Sequence, residues 1–130
     1  MKKTTYFIFF ALFSLWSLSA HAGKEAFTEV LFNKYQADNE LVLIDVYATW
    51  CPTCKKQGKI LDKYFQQYPT SQLKVLKVNF DDQKDWVTHF RAPRQSTLVL
   101  YQGTEKLWFS VAETNKNKIF KKLRQAEQQK

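Results

Sequence analysis

The two cysteines of this 130-residue chain, Cys51 and Cys54, are the residues whose type and spacing most directly indicate chemistry. Only Pro52 and Thr53 lie between them, so a disulfide joining them would close a very small loop. In the chain-entropy model, closing such a loop adds roughly 2 kcal/mol of stability, against nearly 5 kcal/mol for a loop of about a hundred residues. The spacing therefore favours a reactive pair, with a purely structural disulfide as the alternative.

The residues of the motif also indicate which sulfur attacks. Pro52 suits the first turn of a helix, where its missing N–H is not needed, and this places Cys51 at the N-cap. Unpaired amide groups at a helix start stabilise an anion, so they should favour the Cys51 thiolate at neutral pH. Cys54 follows one turn later on the same face and can resolve a mixed disulfide. We expect Cys51 to be the nucleophile and Cys54 to be the more buried, resolving cysteine.

The elements that must hold this pair are indicated by the hydrophobic pattern. Residues Leu41 to Tyr47 form a nearly continuous β-prone run, typical of a central strand buried on both faces, although Asp45 interrupts it with an ionisable group. After the motif, helical spacing continues up to Pro69, which ends the helix. Before the strand, an amphipathic helix is predicted from Lys24 to Tyr35. Its apolar stripe consists of Phe27, Val30, Leu31 and Tyr35.

In the second half of the chain, the pattern predicts a strand over 73–80 and a short helix after the acidic pair at 81–82. A hairpin over 97–111 with a tight turn at 102–105 follows, and then a last helix over about 115–125. Parallel strands joined by helices and followed by an antiparallel hairpin predict an α/β fold. We expect one central mixed sheet of about four to five strands, flanked by helices on both faces.

The segment from Asp45 to Lys55, with Trp-Cys-Pro-Thr-Cys-Lys at its end, resembles the active-site segment of the thioredoxin family. The resemblance extends over most of the chain after residue 22 and implies a thioredoxin fold. It also implies that Asp45 lies buried behind Cys54 and moves its proton, and that Lys77 on the next strand modulates the charge of Asp45. Desolvation supports this role, because a buried carboxyl holds its proton to higher pH. The alternative is an Asp45 at the strand end that reaches solvent.

The resemblance further implies a substrate-binding surface around the cysteines. Its candidate residues are Trp50, Pro52, Thr53, Gln95, Ser96 and Thr97. Family members carry a cis-proline at the position of Ser96. Because a cis bond without proline costs about 3 to 4 kcal/mol, we expect a trans peptide between Gln95 and Ser96.

The missing proline leaves room for a second kind of function. The family loop keeps metal ions away from the cysteines, so Cys51 and Cys54 could instead bind copper(I), zinc or a cluster shared by two chains. Two thiolates leave a tetrahedral site half empty. His89 is expected at a helix surface or core edge rather than as a further ligand.

For the activity, the resemblance implies a thiol:disulfide oxidoreductase that needs no organic cofactor and no metal. A monomeric reductase of extracytoplasmic disulfide-containing proteins is favoured, with a membrane thiol-electron transporter as its donor, because the dipeptide between the cysteines lacks the histidine of many oxidants. A disulfide oxidase or isomerase is the first alternative. A thioredoxin-like fold with inert cysteines that only binds partners is another.

The N-terminal segment predicts export. Lys2 and Lys3 precede an uncharged apolar stretch from Tyr6 to Leu18, and Ala20-His21-Ala22 offers small residues to a signal peptidase. The stretch is shorter than the roughly 20 apolar residues of a membrane anchor. We therefore expect residues 1–22 to be a cleaved signal peptide and 23–130 to be one periplasmic domain. The formal charge of +8 is spread along the chain, which predicts a solvated surface suited to acidic partners rather than a nucleic-acid interface.

Overall fold

Five strands and four helices are found in residues 23–129, the part of the chain that this computed structural model describes. The strands are β1 (Gly23–Ala26), β2 (Leu41–Tyr47), β3 (Lys74–Asn79), β4 (Thr97–Gln102) and β5 (Glu105–Val111). The helices are α1 (Glu29–Ala37), α2 (Pro52–Gln67), α3 (Lys84–His89) and α4 (Lys116–Gln128). The expected signal peptide, residues 1–22, lies outside the described residues.

The strands form one mixed sheet in the order β1-β3-β2-β4-β5. β3 pairs in parallel with β1 and β2, whereas β4 pairs antiparallel with β2 and β5. One apolar cluster joins this sheet to α2 and α4 through Leu61, Tyr64 and Leu123, and a second joins it to α1 and α3. Helices therefore cover both faces, and the predicted thioredoxin-type α/β architecture is confirmed.

The prediction that the first helix starts at Lys24 is wrong. Residues 23–26 form the edge strand β1, and the Phe27 N–H continues its ladder by donating to the Lys77 carbonyl at 2.9 Å. α1 begins only after Thr28, whose hydroxyl caps it by accepting from the Leu31 N–H. Val30, expected in the apolar stripe, is 78% exposed. The open edge of β3 supplies backbone partners that a local pattern cannot reveal, and these override a weak helical period.

The elements around the cysteines follow the predicted pattern closely. β2 has the predicted bounds and is buried on both faces up to Val46, as expected for a central strand. α2 starts at Pro52 and ends before Pro69. The β4–β5 hairpin is present, and α4 is capped by Asn115 and continues to Gln128. Among residues 23–129 no helix is long and apolar enough to cross a bilayer.

The sheet order determines what meets the cysteines. β2 runs directly into the loop that starts α2, so its carboxyl end carries the motif. β4 runs antiparallel beside it, with Thr97 paired to Val46. The segment that precedes β4 therefore arrives at the same end of the sheet, and Ser96 lies against the start of α2.

Candidate active site

Cys51 and Cys54 form a disulfide at the start of α2. Cys51 is the N-cap residue, and its Sγ accepts a hydrogen bond from the Cys54 N–H at 3.1 Å. Pro52 occupies the first turn. The predicted N-cap is thus confirmed, and an amide donor points at the sulfur in the direction that stabilises a negative charge.

Both cysteines are buried to nearly the same degree, with 4% of Cys51 and 7% of Cys54 exposed. The expectation that Cys54 would be the more buried cysteine is therefore wrong. Cys51 packs with Ala48 in a small cluster and lies within 3.2 Å of the Ser96 hydroxyl, and these contacts cover its sulfur as well.

Ser96 stands directly against the disulfide. Its Oγ lies 3.2 Å from Cys51 Sγ and 3.2 Å from Cys54 Sγ, and the residue is fully buried. Its backbone adopts φ +67°, a left-handed conformation that is rare for residues other than glycine. The residues described here contain no cis peptide bond, so the expected trans peptide before Ser96 is confirmed.

Gln57 is a buried polar residue at this site that the sequence reasoning missed. It lies three residues after Cys54 on α2 and is fully buried. Its Nε2 donates to the carbonyl of Ser96 at 3.2 Å and to that of Glu113 at 2.9 Å. A polar residue at the same helical face as Cys54 and Ile60 was the available signal. Gln57 ties α2 to the two segments that approach it.

Asp45 lies inside β2 with 2% of its surface exposed, which excludes the alternative of a carboxylate that reaches solvent. Burial raises its pKa from 3.8 to about 6, and the positive charges of Lys77 and Lys24 oppose this shift. Among the described side chains, no hydrogen-bond partner is found for its Oδ1. The carboxyl therefore exchanges its proton close to neutral pH.

Asp45 shares a cavity of about 300 Å³ with both cysteines. Lys77 lines the same cavity and is the register partner of Asp45 on β3. Its Nζ lies 4.1 Å from the centre of the Tyr47 ring, which holds the ammonium group beside the cavity. The residues to which catalytic roles are assigned thus line one cavity: Cys51, Cys54, Asp45 and Lys77.

The predicted substrate-binding residues have different environments. Trp50 is 59% exposed, and its Nε1–H donates to Asp81 Oδ2 at 2.8 Å, which orients the ring at the rim. Pro52 is exposed and lines a shallow groove with Trp50 and Cys51. Thr53 and Gln95 are half-buried.

Thr97 is fully buried and its hydroxyl donates to the Arg94 carbonyl at 2.7 Å. Its side chain therefore supports the loop from within rather than facing a docking partner.

Over residues 23–129, no group of three or more histidine, cysteine, aspartate or glutamate side chains is arranged to hold a metal ion. His89 lies exposed on α3, with its ring 4.9 Å from that of Trp86. This agrees with the position at a helix surface or core edge that was expected for His89. In this part of the chain, Cys51 and Cys54 are therefore not joined by a third such side chain in a position to share a metal ion with them.

Comparisons with known proteins agree with this geometry. The family model described as thioredoxin matches residues 20–125. Thioredoxin 1 of Nostoc sp. is 30% identical over 81 residues, which cover 62% of this chain and 75% of that protein. The crystal structure of Trxlp from Edwardsiella tarda has 40% identity and a TM-score of 0.73, covering 78% of this chain and 98% of that one. Oxidised mitochondrial thioredoxin 3 of Saccharomyces cerevisiae has 25% identity and a TM-score of 0.66, covering 77% and 92%.

Proposed function

The chain belongs to the thioredoxin family and is a thiol–disulfide oxidoreductase, and we propose that it reduces disulfides of extracytoplasmic proteins through Cys51 and Cys54. The observation that carries this proposal is the cysteine pair at the start of α2 with the buried carboxyl of Asp45 in the same cavity. A structural cross-link requires neither an N-cap sulfur nor a neighbouring proton acceptor.

The first step is attack by the Cys51 thiolate on one sulfur of a substrate disulfide. The Cys51–substrate S–S bond forms, the substrate S–S bond breaks, and the departing substrate thiolate takes a proton from water. The Cys54 N–H, 3.1 Å from Cys51 Sγ, and the start of α2 stabilise the attacking anion. Trp50 and Pro52 line the groove beside Cys51 where the substrate would lie.

The second step resolves the mixed disulfide. The Asp45 carboxylate takes the proton of the Cys54 thiol, and the resulting thiolate attacks Cys51 Sγ. The Cys51–substrate bond breaks, and the second substrate sulfur leaves as a thiolate that takes a proton from water. Two electrons have then passed to the substrate, and the protein carries the Cys51–Cys54 disulfide seen here. A pKa of about 6 suits Asp45 to this transfer at neutral pH, and Lys77 modulates its charge.

Several features of the sequence support the proposed direction and location. The dipeptide Pro52-Thr53 has no imidazole to stabilise the reduced pair, which favours a reductase over the alternative disulfide oxidase or isomerase. The basic and then apolar segment before Gly23 supports export to a periplasm. In that compartment a membrane thiol-electron transporter would return the protein to its dithiol form, and the protein acts as a monomer without a cofactor.

The decisive experiment is the reduction potential of the purified, metal-free protein, equilibrated against glutathione or dithiothreitol. A value near about −270 mV supports the reductase, whereas a value near about −120 mV would identify a disulfide donor. Failure of the pair to cycle, with metal copurifying, would favour the metal-binding alternative.

Two cysteine variants test the order of the steps. Cys51→Ser should abolish reduction of a model disulfide protein, because the attacking sulfur is gone. Cys54→Ser should accumulate mixed disulfides, visible as adducts on non-reducing gels. The variants are matched, since each removes one sulfur of the same disulfide. Adducts with Cys51→Ser, or wild-type turnover by either variant, would contradict the mechanism.

A further inference from the structure

Ser96 offers the two sulfurs a hydroxyl at the position where the family carries proline. Its Oγ is 3.2 Å from each Sγ, and these two sulfurs are the only hydrogen-bond partners found for this hydroxyl among residues 23–129. The residue is fully buried, so water does not compete for the proton. The hydroxyl proton therefore has a sulfur as its acceptor.

We propose that Ser96 is a catalytic residue whose hydroxyl donates a hydrogen bond to the Cys51 thiolate of the reduced protein and so stabilises the dithiol form. The inference rests on the proposed thiol–disulfide exchange and names a further residue for it. No proton is transferred in this role: the hydroxyl stays neutral and supplies a dipole to the reacting sulfur.

The effect is selective for the reduced state because the acceptor changes. A disulfide sulfur is a weak acceptor, whereas a thiolate carries a full negative charge and accepts a charge-assisted bond of about twice the strength. The same hydroxyl thus stabilises reduced Cys51 more than the disulfide. In the resolving step its equal distance from both sulfurs lets it turn to the Cys54 thiolate without moving its backbone.

The surroundings hold Ser96 in a conformation that it would not otherwise prefer. Its N–H donates to the Val46 carbonyl at 2.7 Å, and its own carbonyl accepts from Gln57 at 3.2 Å and from the Ala112 N–H at 2.9 Å. These bonds keep the backbone at φ +67°. Strained backbone that is held in this way is concentrated at functional sites, where it positions a reacting group.

Other charges also act on the sulfurs, so the test must leave them unchanged. Asp45 on β2, Lys77 on β3 and Lys55 on α2 line the cavity beside the pair. Substitution of Ser96 changes no charge. Any change in thiolate formation would therefore report the hydroxyl or the backbone that carries it.

The experiment measures alkylation of Cys51 by iodoacetamide as a function of pH, with the modified cysteine assigned by peptide mass spectrometry. In Ser96→Ala the midpoint of the profile should rise by about one pH unit, since a hydrogen bond to a charged group is lost. In parallel, the equilibrium with glutathione should shift about tenfold towards the oxidised protein, which lowers the potential by about 30 mV.

Two further variants separate the hydroxyl from its backbone. Ser96→Gly also lacks the hydroxyl but adopts φ +67° without strain, so it should show the same shifts as Ser96→Ala. Ser110→Ala removes a buried hydroxyl on β5 for which no hydrogen-bond partner is found among the described residues, and this variant should behave as wild type. Opposite shifts in the two Ser96 variants would assign the effect to the backbone and overturn the proposal.

Unchanged midpoints and equilibria in both Ser96 variants, with normal disulfide reduction, would also overturn the role of Ser96 and leave the reductase intact. If wild type failed to reduce disulfides, the proposed function would fall, while the alkylation profile would still show whether Ser96 stabilises the thiolate.

Discussion

The Asp45 carboxyl connects protein stability to the proposed chemistry at the scale of one residue. Burial raises its pKa from 3.8 to about 6, so the folded protein holds this proton more tightly than the unfolded chain. As pH rises from about 4 to about 6, the unfolded chain loses the proton first, and the free energy of unfolding falls. Above this range the folded state bears the full cost of a buried charge, roughly 3 kcal/mol at 1.36 kcal/mol per pH unit.

Asp45→Asn should therefore raise the free energy of unfolding at neutral pH by up to about 3 kcal/mol and give no gain below about pH 4. Urea denaturation at both pH values measures this. The same variant should slow the resolving step by about a hundredfold and remove its inflection near pH 6, because the proton acceptor is lost.

The exposed Asp82 offers a matched control, since Asp82→Asn removes a carboxylate of the same size from the surface. It should change neither stability nor the resolving rate. A gain for Asp45→Asn that is equal at both pH values would mean that packing, not ionisation, is responsible.

At the scale of elements, the two ends of strand β5 are held by residues in left-handed conformations. Gly103, in the turn before β5, has φ +55°, and Ala112, directly after β5, has φ +54°. The Ala112 N–H donates to the Ser96 carbonyl, so this backbone conformation also supports the loop at the disulfide. Glycine adopts such angles without strain, whereas alanine does not.

Ala112→Gly should accordingly stabilise the protein by about 1 kcal/mol, against the usual cost of introducing glycine. Gly103→Ala should destabilise the protein by at least about 1 kcal/mol, because a left-handed conformation disfavours alanine. The added Cβ would also lie 2.5 Å from Asn39 Oδ1. Thermal unfolding of the two variants beside wild type tests this pair. If both variants changed the stability in the same direction, the φ angles of Gly103 and Ala112 would not be what determines it.

At the scale of the whole molecule, the N-terminal strand β1 belongs to the same sheet as β2, the strand that leads into the cysteine motif. β1 is the edge strand at the opposite side of the sheet from β5, and within the described part of the chain Gly23 pairs with Lys74 of β3. A cut after Ala22 would therefore keep Gly23–Ala26, which pair with β3. A cut even a few residues later would remove part of β1 and expose the edge of β3.

We expect the full chain, when expressed in a Gram-negative bacterium, to be recovered from the periplasmic extract with Gly23 as its first residue. Intact-mass measurement of the purified protein identifies the N-terminus. Ala22→Lys should block processing, because a signal peptidase requires a small residue there. An unprocessed protein found in the cytoplasm would contradict export while leaving the redox activity untouched.

The sequence by itself determined the features that depend on neighbours along the chain. A nearly continuous apolar run predicts a central strand, Pro52 after Cys51 predicts an N-cap, and the 97–111 segment predicts a hairpin. Each of these is present. The family resemblance placed Asp45 in the interior, where it lies. These signals are local because strand burial, capping and tight turns each involve residues only a few positions apart.

Only the tertiary structure decided the contacts made across the sheet. Residues 23–26 became a strand because β3 offered an edge, and Gln57 entered the site because two distant carbonyls reached it. Ser96 contacts Cys51, which lies 45 positions earlier in the sequence, because the antiparallel register of β2 and β4 brings the two residues together. Its hydroxyl lies 3.2 Å from each sulfur, and the two cysteines are almost equally buried. Such contacts arise from the pairing of separate elements, and no spacing within one element encodes them.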